Sequence, residues 1–270
     1  FTRPKLTMPY YHHWASSEGY LWPMLFVTVA CGAVSGFHAL IASGTSSKQI
    51  ANERHVKRIG FGAMLAEGIV AVLAIICVAI LFSSKDNFTE RLSSLTPIGI
   101  FGQGYGKITS TLLSGFGALI AITILNAFIL TTLDTATRIS RYLTEELFGI
   151  KNRYFSTLVI VVLSAALAFS GQWEKIWPAF GASNQLVAAL ALFVISCWLL
   201  SRNKSTKLTL WPAFFMLVTT LGALFLQAIR YFISRDTVLF ITTSVLIVLA
   251  GIMVFEVIPI IFNKGKRKNG

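Results

Sequence analysis

Charge is what this sequence has least of. Asp, Glu, Lys and Arg make up 13% of its 270 residues, against about 25% in an ordinary soluble domain. A soluble fold of this size needs more polar surface than that, so a soluble enzyme is not expected. Acids are scarcer than bases, eleven against 23, and the formal net charge is +12. A nucleic-acid binder would gather that excess into one patch on a polar domain. Here the basic residues fall in short clusters between long apolar runs, so no nucleic-acid partner is expected. Cysteine is nearly absent. Cys31, Cys77 and Cys197 each stand alone within apolar sequence, which gives neither a disulfide framework nor a metal-ligand spacing. Ser/His/Asp, Cys/His and His-Glu-x-x-His patterns are also missing, so no enzyme chemistry, metal or cofactor is expected. Gly44-Thr-Ser-Ser-Lys48 lacks the spacing of a nucleotide-binding loop, and no strand precedes the glycines at 99, 102, 104 and 106.

What the chain does have is apolar length. Hydrophobic residues make up 55% of it, and the mean hydropathy is +0.71. Crossing a bilayer takes about 20 mostly apolar residues. Seven runs approach or exceed that length: 20–43, 59–82, 108–133, 154–170, 178–200, 211–233 and 237–262. None alternates with period two, so the expected fold is an all-α polytopic transmembrane bundle of about seven spans in one domain.

The connections between the runs are unequal in charge. Segments 44–58, 134–153, 201–210 and 263–270 hold fifteen of the 23 Lys and Arg residues. Cytoplasmic loops carry the positive excess, which puts the N-terminus outside and the C-terminus in the cytoplasm. The chain starts at Phe1, and residues 1–19 have no apolar core resembling a signal peptide. A first span entering from outside implies an upstream segment, so the expectation is the C-terminal part of a longer polytopic protein.

Residues 134–148 read as a helical continuation of the third span along the cytoplasmic interface, stopped at Gly149. The connection 83–107, with Pro97 and four glycines, reads as a flexible extracellular lid. It contains a glycosylation sequon at Asn87-Phe-Thr89. His12-His13 lies among Tyr10, Tyr11 and Trp14 and reads as part of a headgroup belt.

Function is sought where polarity is expensive. A charge at the centre of a spanning helix costs about 2.5–3.5 kcal/mol on insertion scales. Glu67 and Glu256 are such acids, roughly 12 Å and 9 Å from their cytoplasmic helix ends at a 1.5 Å rise, with His38 and Asn126 at similar depth. Local packing is the alternative for each. Gly32 and Gly36 allow another backbone to approach, and they also weaken the first span. A break near Ser35 would offer freed amides and carbonyls to a ligand or ion. His38 adds an imidazole, a side chain suited to relaying protons. Ser183, Asn184 and Gln185 are consecutive inside the fifth run. They point in different directions, so they need either several partners or a hydrated cavity, and the cavity is favoured. Thr131, Asp134, Thr135, Arg138 and Tyr142 share one helical face. Asp134 and Arg138 are four apart, which suits an ion pair at a helix end or a cytoplasmic gate.

Three segments resemble the carbon starvation protein family of CstA type. They are Ala30-Cys-Gly-Ala-Val-Ser-Gly-Phe-His-Ala-Leu-Ile-Ala-Ser-Gly-Thr-Ser-Ser-Lys-Gln49, Thr132-Leu-Asp-Thr-Ala-Thr-Arg138 and Trp177-Pro-Ala-Phe-Gly-Ala-Ser-Asn-Gln-Leu-Val-Ala-Ala-Leu190. The resemblance implies a bacterial inner-membrane secondary transporter with a LeuT-like inverted-repeat bundle of the amino acid-polyamine-organocation superfamily. It implies uptake of peptides or pyruvate in carbon starvation, with the upstream part of the same protein and the lipid bilayer as partners. The resemblance assigns no role to single residues; from their own chemistry and depth, the substrate or ion would be bound by Ser35, Gly36, His38, Ser183, Asn184, Gln185 and Asn126. Glu67 or His38 would carry a coupling proton, with sodium as the alternative ion, and Asp134 with Arg138 would form the gate. Two other readings stay open. One is an ion channel, for which no span supplies a continuous polar face, and the other is a non-transporting membrane sensor or structural module.

Overall fold

In a computed structural model, residues 5–9, 11, 13–16, 19–30, 32, 34–82, 90, 94–150 and 152–266 are described. The lid reading therefore lies partly outside them, at 83–89 and 91–93, as do the sequon, Tyr10, His12 and Cys31. Most of the described residues are helical, and Ala15–Ser16 pairs antiparallel with Gly19–Tyr20. Among the described residues, six helices are long and apolar enough to cross a membrane. Together with the apolar composition, they make this a multi-pass membrane protein. The chain divides into two compact units.

The first unit comprises residues 1–13 and 48–153. Asn52 starts its first long helix by accepting the Arg54 N–H at 3.0 Å. A short turn at Glu53–His55 then leads into α4 (Val56–Leu81). The last carbonyls of a helix have no partner within it. At α4, Thr7 N–H donates to Ala79 O at 2.9 Å, Thr7 Oγ1 to Phe82 O at 2.8 Å and Lys107 Nζ to Ile80 O at 3.1 Å.

The glycine-rich stretch read as part of a lid is helical from Pro97 onward, a correction of that reading. Thr96 Oγ1 accepts the Gly99 N–H at 3.2 Å, and Pro97 occupies the first turn of α5 (Pro97–Ile108). Ile100, Gly102 and Gly104 are buried. A Cβ at Gly104 would fall 2.7 Å from the Cys77 main chain, and one at Gly102 would fall 2.6 Å from Ile122. The glycines thus serve close helix packing. A short helix α6 (Ser110–Leu113) leads to α7 (Gly117–Phe148), whose end at Gly149 has φ 65°. This matches the expected continuation through 134–148, including its stop.

The second unit comprises residues 14–47 and 154–270. The first apolar run forms pieces: a wide turn at Leu21–Leu25, α1 (Phe26–Ala30), α2 (Gly36–Ile41), a wide turn at Ala42–Ser46 and α3 (Ser47–Gln49). Then come α8 (Arg153–Ser170), α9 (Trp173–Ser201), α10 (Lys207–Ile233) and α11 (Thr237–Lys266). The core lies along α9 and α10. Leu186, Ala189 and Phe193 pack with Ala213, Met216, Leu217, Ala250 and Met253, while Met24 and Val27 pack with Ala182, Ala223 and Leu224. By contrast, α4, α7 and α8 keep most of their apolar side chains on the outside, a surface suited to hydrocarbon.

A candidate binding site at a broken helix

The break between α1 and α2 follows from the local sequence. Ser35 is extended (φ −120°, ψ 127°) and caps α2, its Oγ accepting the His38 N–H at 3.3 Å. The cap leaves the other first-turn amides of α2 without intrahelical partners. One of them, Phe37 N–H, donates to Asn184 Oδ1 on α9 at 2.7 Å. Ser35 Oγ lies 3.1 Å from Asn184 Nδ2 and 3.3 Å from Oδ1. Gly36 makes this approach possible. It is buried, and a Cβ there would stand 2.5 Å from the Asn184 carbonyl and 2.8 Å from Val187 Cγ1. Gly32, expected to share this role, is exposed, with only the Val29 carbonyl near it at 3.9 Å.

The three consecutive polar residues of α9 meet three different environments. Ser183 Oγ donates to its own helix at Phe180 O, 2.9 Å. Asn184, 7% exposed, holds the break. Gln185 is fully buried, and neither Nε2 nor Oε1 has a hydrogen-bond partner among the described residues. Among the described residues the three side chains thus face different surroundings, because consecutive residues on a helix point in different directions.

Two α10 residues went unnoticed in the sequence. Thr220 Oγ1 and Gln227 Oε1 are likewise buried and unpartnered among the described residues, whereas Gln227 Nε2 donates to Pro178 O at 3.0 Å. Each such group costs roughly 1–3 kcal/mol of lost hydration. Neighbouring Thr219 is paired, accepting the Trp22 Nε1–H at 3.2 Å. The signal was legible, since Thr220 and Gln227 are seven apart in an apolar run, and so lie on one helical face.

The remaining candidates sit elsewhere. Glu67, Asn126, Asp134 and Arg138 belong to the first unit, and His38 and Glu256 to the second. Glu67 and Glu256, expected to be buried acids, are both exposed, as are His38 and Asn126. Burial fails for Glu67 because α4 packs through its C-terminal half, around Cys77 and Ile80. Asp134 and Arg138 do pair, at 3.1 Å, with both side chains more than half exposed, so the pair contributes little to stability. Among the described residues, no three His, Cys, Asp or Glu side chains group as a metal would require.

Comparison with known proteins follows this geometry. The profile of the family described as carbon starvation protein CstA matches residues 1–91 and 83–223. The chain is 33% identical to the peptide transporter CstA of Campylobacter jejuni, over 75% of this chain and 38% of that protein. It is 29% identical to the peptide transporter CstA of Escherichia coli, over 82% and 42%. It is 28% identical to the pyruvate/proton symporter BtsT of Escherichia coli, over 83% and 44%. The chain thus spans about two fifths of the length of these relatives. No solved structure matches.

Proposed function

The chain belongs to the carbon starvation protein CstA family, and from that premise we propose that it is part of a secondary transporter importing peptides or pyruvate-like carboxylates by proton symport. The observation that carries this reading is the break at Ser35. The helix that starts at Ser35 is held to α9 by Asn184, the kind of helix break at which transporters bind their ligands. The relatives' names, a peptide transporter and a pyruvate/proton symporter, supply the substrate classes.

In this reading the broken run counts as a seventh span, the bundle is a LeuT-like inverted repeat, and an N-terminal part of the same protein completes it. The N-terminus of this chain faces outward and its C-terminus faces the cytoplasm of a bacterial inner membrane. Ser35, Gly36, His38, Ser183, Asn184 and Gln185 of the second unit bind substrate or ion, and Asn126 of the first unit binds substrate or ion separately. Glu67 or His38 carries the proton, and Asp134 with Arg138 gates the cytoplasmic side. The test is uptake of labelled pyruvate and labelled alanyl-alanine into vesicles reconstituted with the protein. Accumulation driven by an inward proton gradient is expected, and no accumulation of either substrate under a proton or sodium gradient would overturn the reading.

A further inference from the structure

The paired helices α9 and α10 place the unpartnered groups opposite one another. Two hydrogen bonds fix the register: Gln227 Nε2 to Pro178 O at 3.0 Å, and Ser196 Oγ to Thr209 Oγ1 at 2.7 Å. Moving forward on one antiparallel helix moves back on the other. Gln185 lies seven residues after Pro178 and eleven before Ser196, while Thr220 lies seven before Gln227 and eleven after Thr209. Seven and eleven residues are close to two and three turns of about 3.6 residues. Gln185 and Thr220 therefore occupy the facing stripes of this pair, at one level. Both are fully buried, and each carries unpartnered polar atoms among the described residues.

We propose that Gln185 and Thr220 form a binding subsite for a ligand that presents N–H donors beside a carbonyl, the chemistry of a peptide group, and that Gln227, two turns or about 10 Å along α10, meets the far end of the same ligand. The orphaned atoms themselves point to that class. Gln185 offers a donor and an acceptor on one planar amide, the self-complement of a peptide bond. Gln227 offers an unpartnered acceptor, its Oε1, while one N–H of its Nε2 holds Pro178 O. The Thr220 hydroxyl serves either way. A carboxylate such as pyruvate presents acceptors only. It would leave both glutamine carbonyls unpaired and set negative charge against them. The subsite is closed to solvent here, so a ligand enters only when the helices part, as alternating access requires. The inference rests on the transport reading but names residues and a preference that the reading lacks.

The test is ligand binding to the purified protein, by calorimetry and by thermal shift, using alanyl-alanine and pyruvate as probes. Wild type should bind alanyl-alanine, and Thr220→Val and Gln227→Met should each weaken that binding about tenfold without changing the pyruvate response. Thr220→Val should also melt no lower than wild type, since a methyl group replaces a hydroxyl that has no partner. Ser196→Ala, which removes a satisfied pair outside the subsite, should lower the melting temperature and leave alanyl-alanine binding intact. Unchanged dipeptide binding in both subsite variants, equal loss of pyruvate and dipeptide binding, or no dipeptide binding by wild type would each overturn the proposal. Binding that behaves as expected without any gradient-driven uptake supports the subsite and overturns the transport reading alone.

Discussion

Asn184 anchors the main chain of a different helix: its Oδ1 accepts the Phe37 N–H at 2.7 Å, 147 residues away in sequence. A backbone amide at a helix break is thereby satisfied by a side chain of another helix. Asn184→Ala should therefore cost more than a surface change. The Phe37 N–H and Ser35 Oγ both lose this partner, and about 1–3 kcal/mol of stability should go with them. Thermal unfolding measures the loss. In vesicles the variant should take up substrate poorly, and normal transport by it would remove the break from the binding site.

Gly36 tests the same contact from the other helix. Gly36→Ala puts a methyl 2.5 Å from the Asn184 carbonyl. A main-chain oxygen cannot swing away as a flexible side chain can, so overpacking of about 1–3 kcal/mol is expected. Gly44 gives the control, because nothing lies within 4 Å of a Cβ there. Gly44→Ala should melt at or above the wild-type temperature, since alanine favours helix over glycine by about 1 kcal/mol. Equal melting of the two variants would show that Gly36 is not a close-packing position.

Much of this architecture was legible in the sequence because membrane helices obey one simple length rule. The six long helices fall on the expected runs, and Gly149 ends α7 with the positive φ that glycine adopts freely. The break near Ser35 was readable from Gly32, Ser35 and Gly36, although only Gly36 makes the close approach. What failed was the assignment of glycines to a lid. Thr96-Pro97 is a helix start and Gly102-x-x-x-Gly106 a packing face, but glycine density and proline also describe a loop. Packing decides between them, and packing is not local. The same limit hid the Gln185–Thr220 register, which depends on how two helices align, and it made Glu67 look buried when the deciding fact was which half of α4 touches its neighbours.

The first unit offers a matching pair of substitutions. A Cβ at Gly104 would stand 2.7 Å from the Cys77 main chain, whereas one at Gly68 meets nothing within 4 Å. Gly104→Ala should force α5 away from α4, lower the melting temperature and expose Cys77, which is fully buried. Faster labelling of Cys77 by a membrane-permeant thiol reagent would report that opening. Gly68→Ala should leave labelling at the wild-type rate. If Cys77 in Gly104→Ala stays as protected as in wild type, the α4–α5 contact does not depend on that glycine.

Glu67 gives the sharpest test of coupling. It lies within the apolar run of α4 and is exposed. A carboxyl within an apolar span is a functional candidate by its position alone. Glu67→Gln keeps the shape and removes the titration, so the variant should insert normally. It should still exchange labelled for unlabelled substrate across the vesicle membrane, because exchange needs no net proton movement. Accumulation against a substrate gradient should fall at least about tenfold, the equivalent of 1.4 kcal/mol of lost driving force. Loss of both exchange and accumulation would make Glu67 a binding or folding residue, and retention of both would leave His38 to carry the proton.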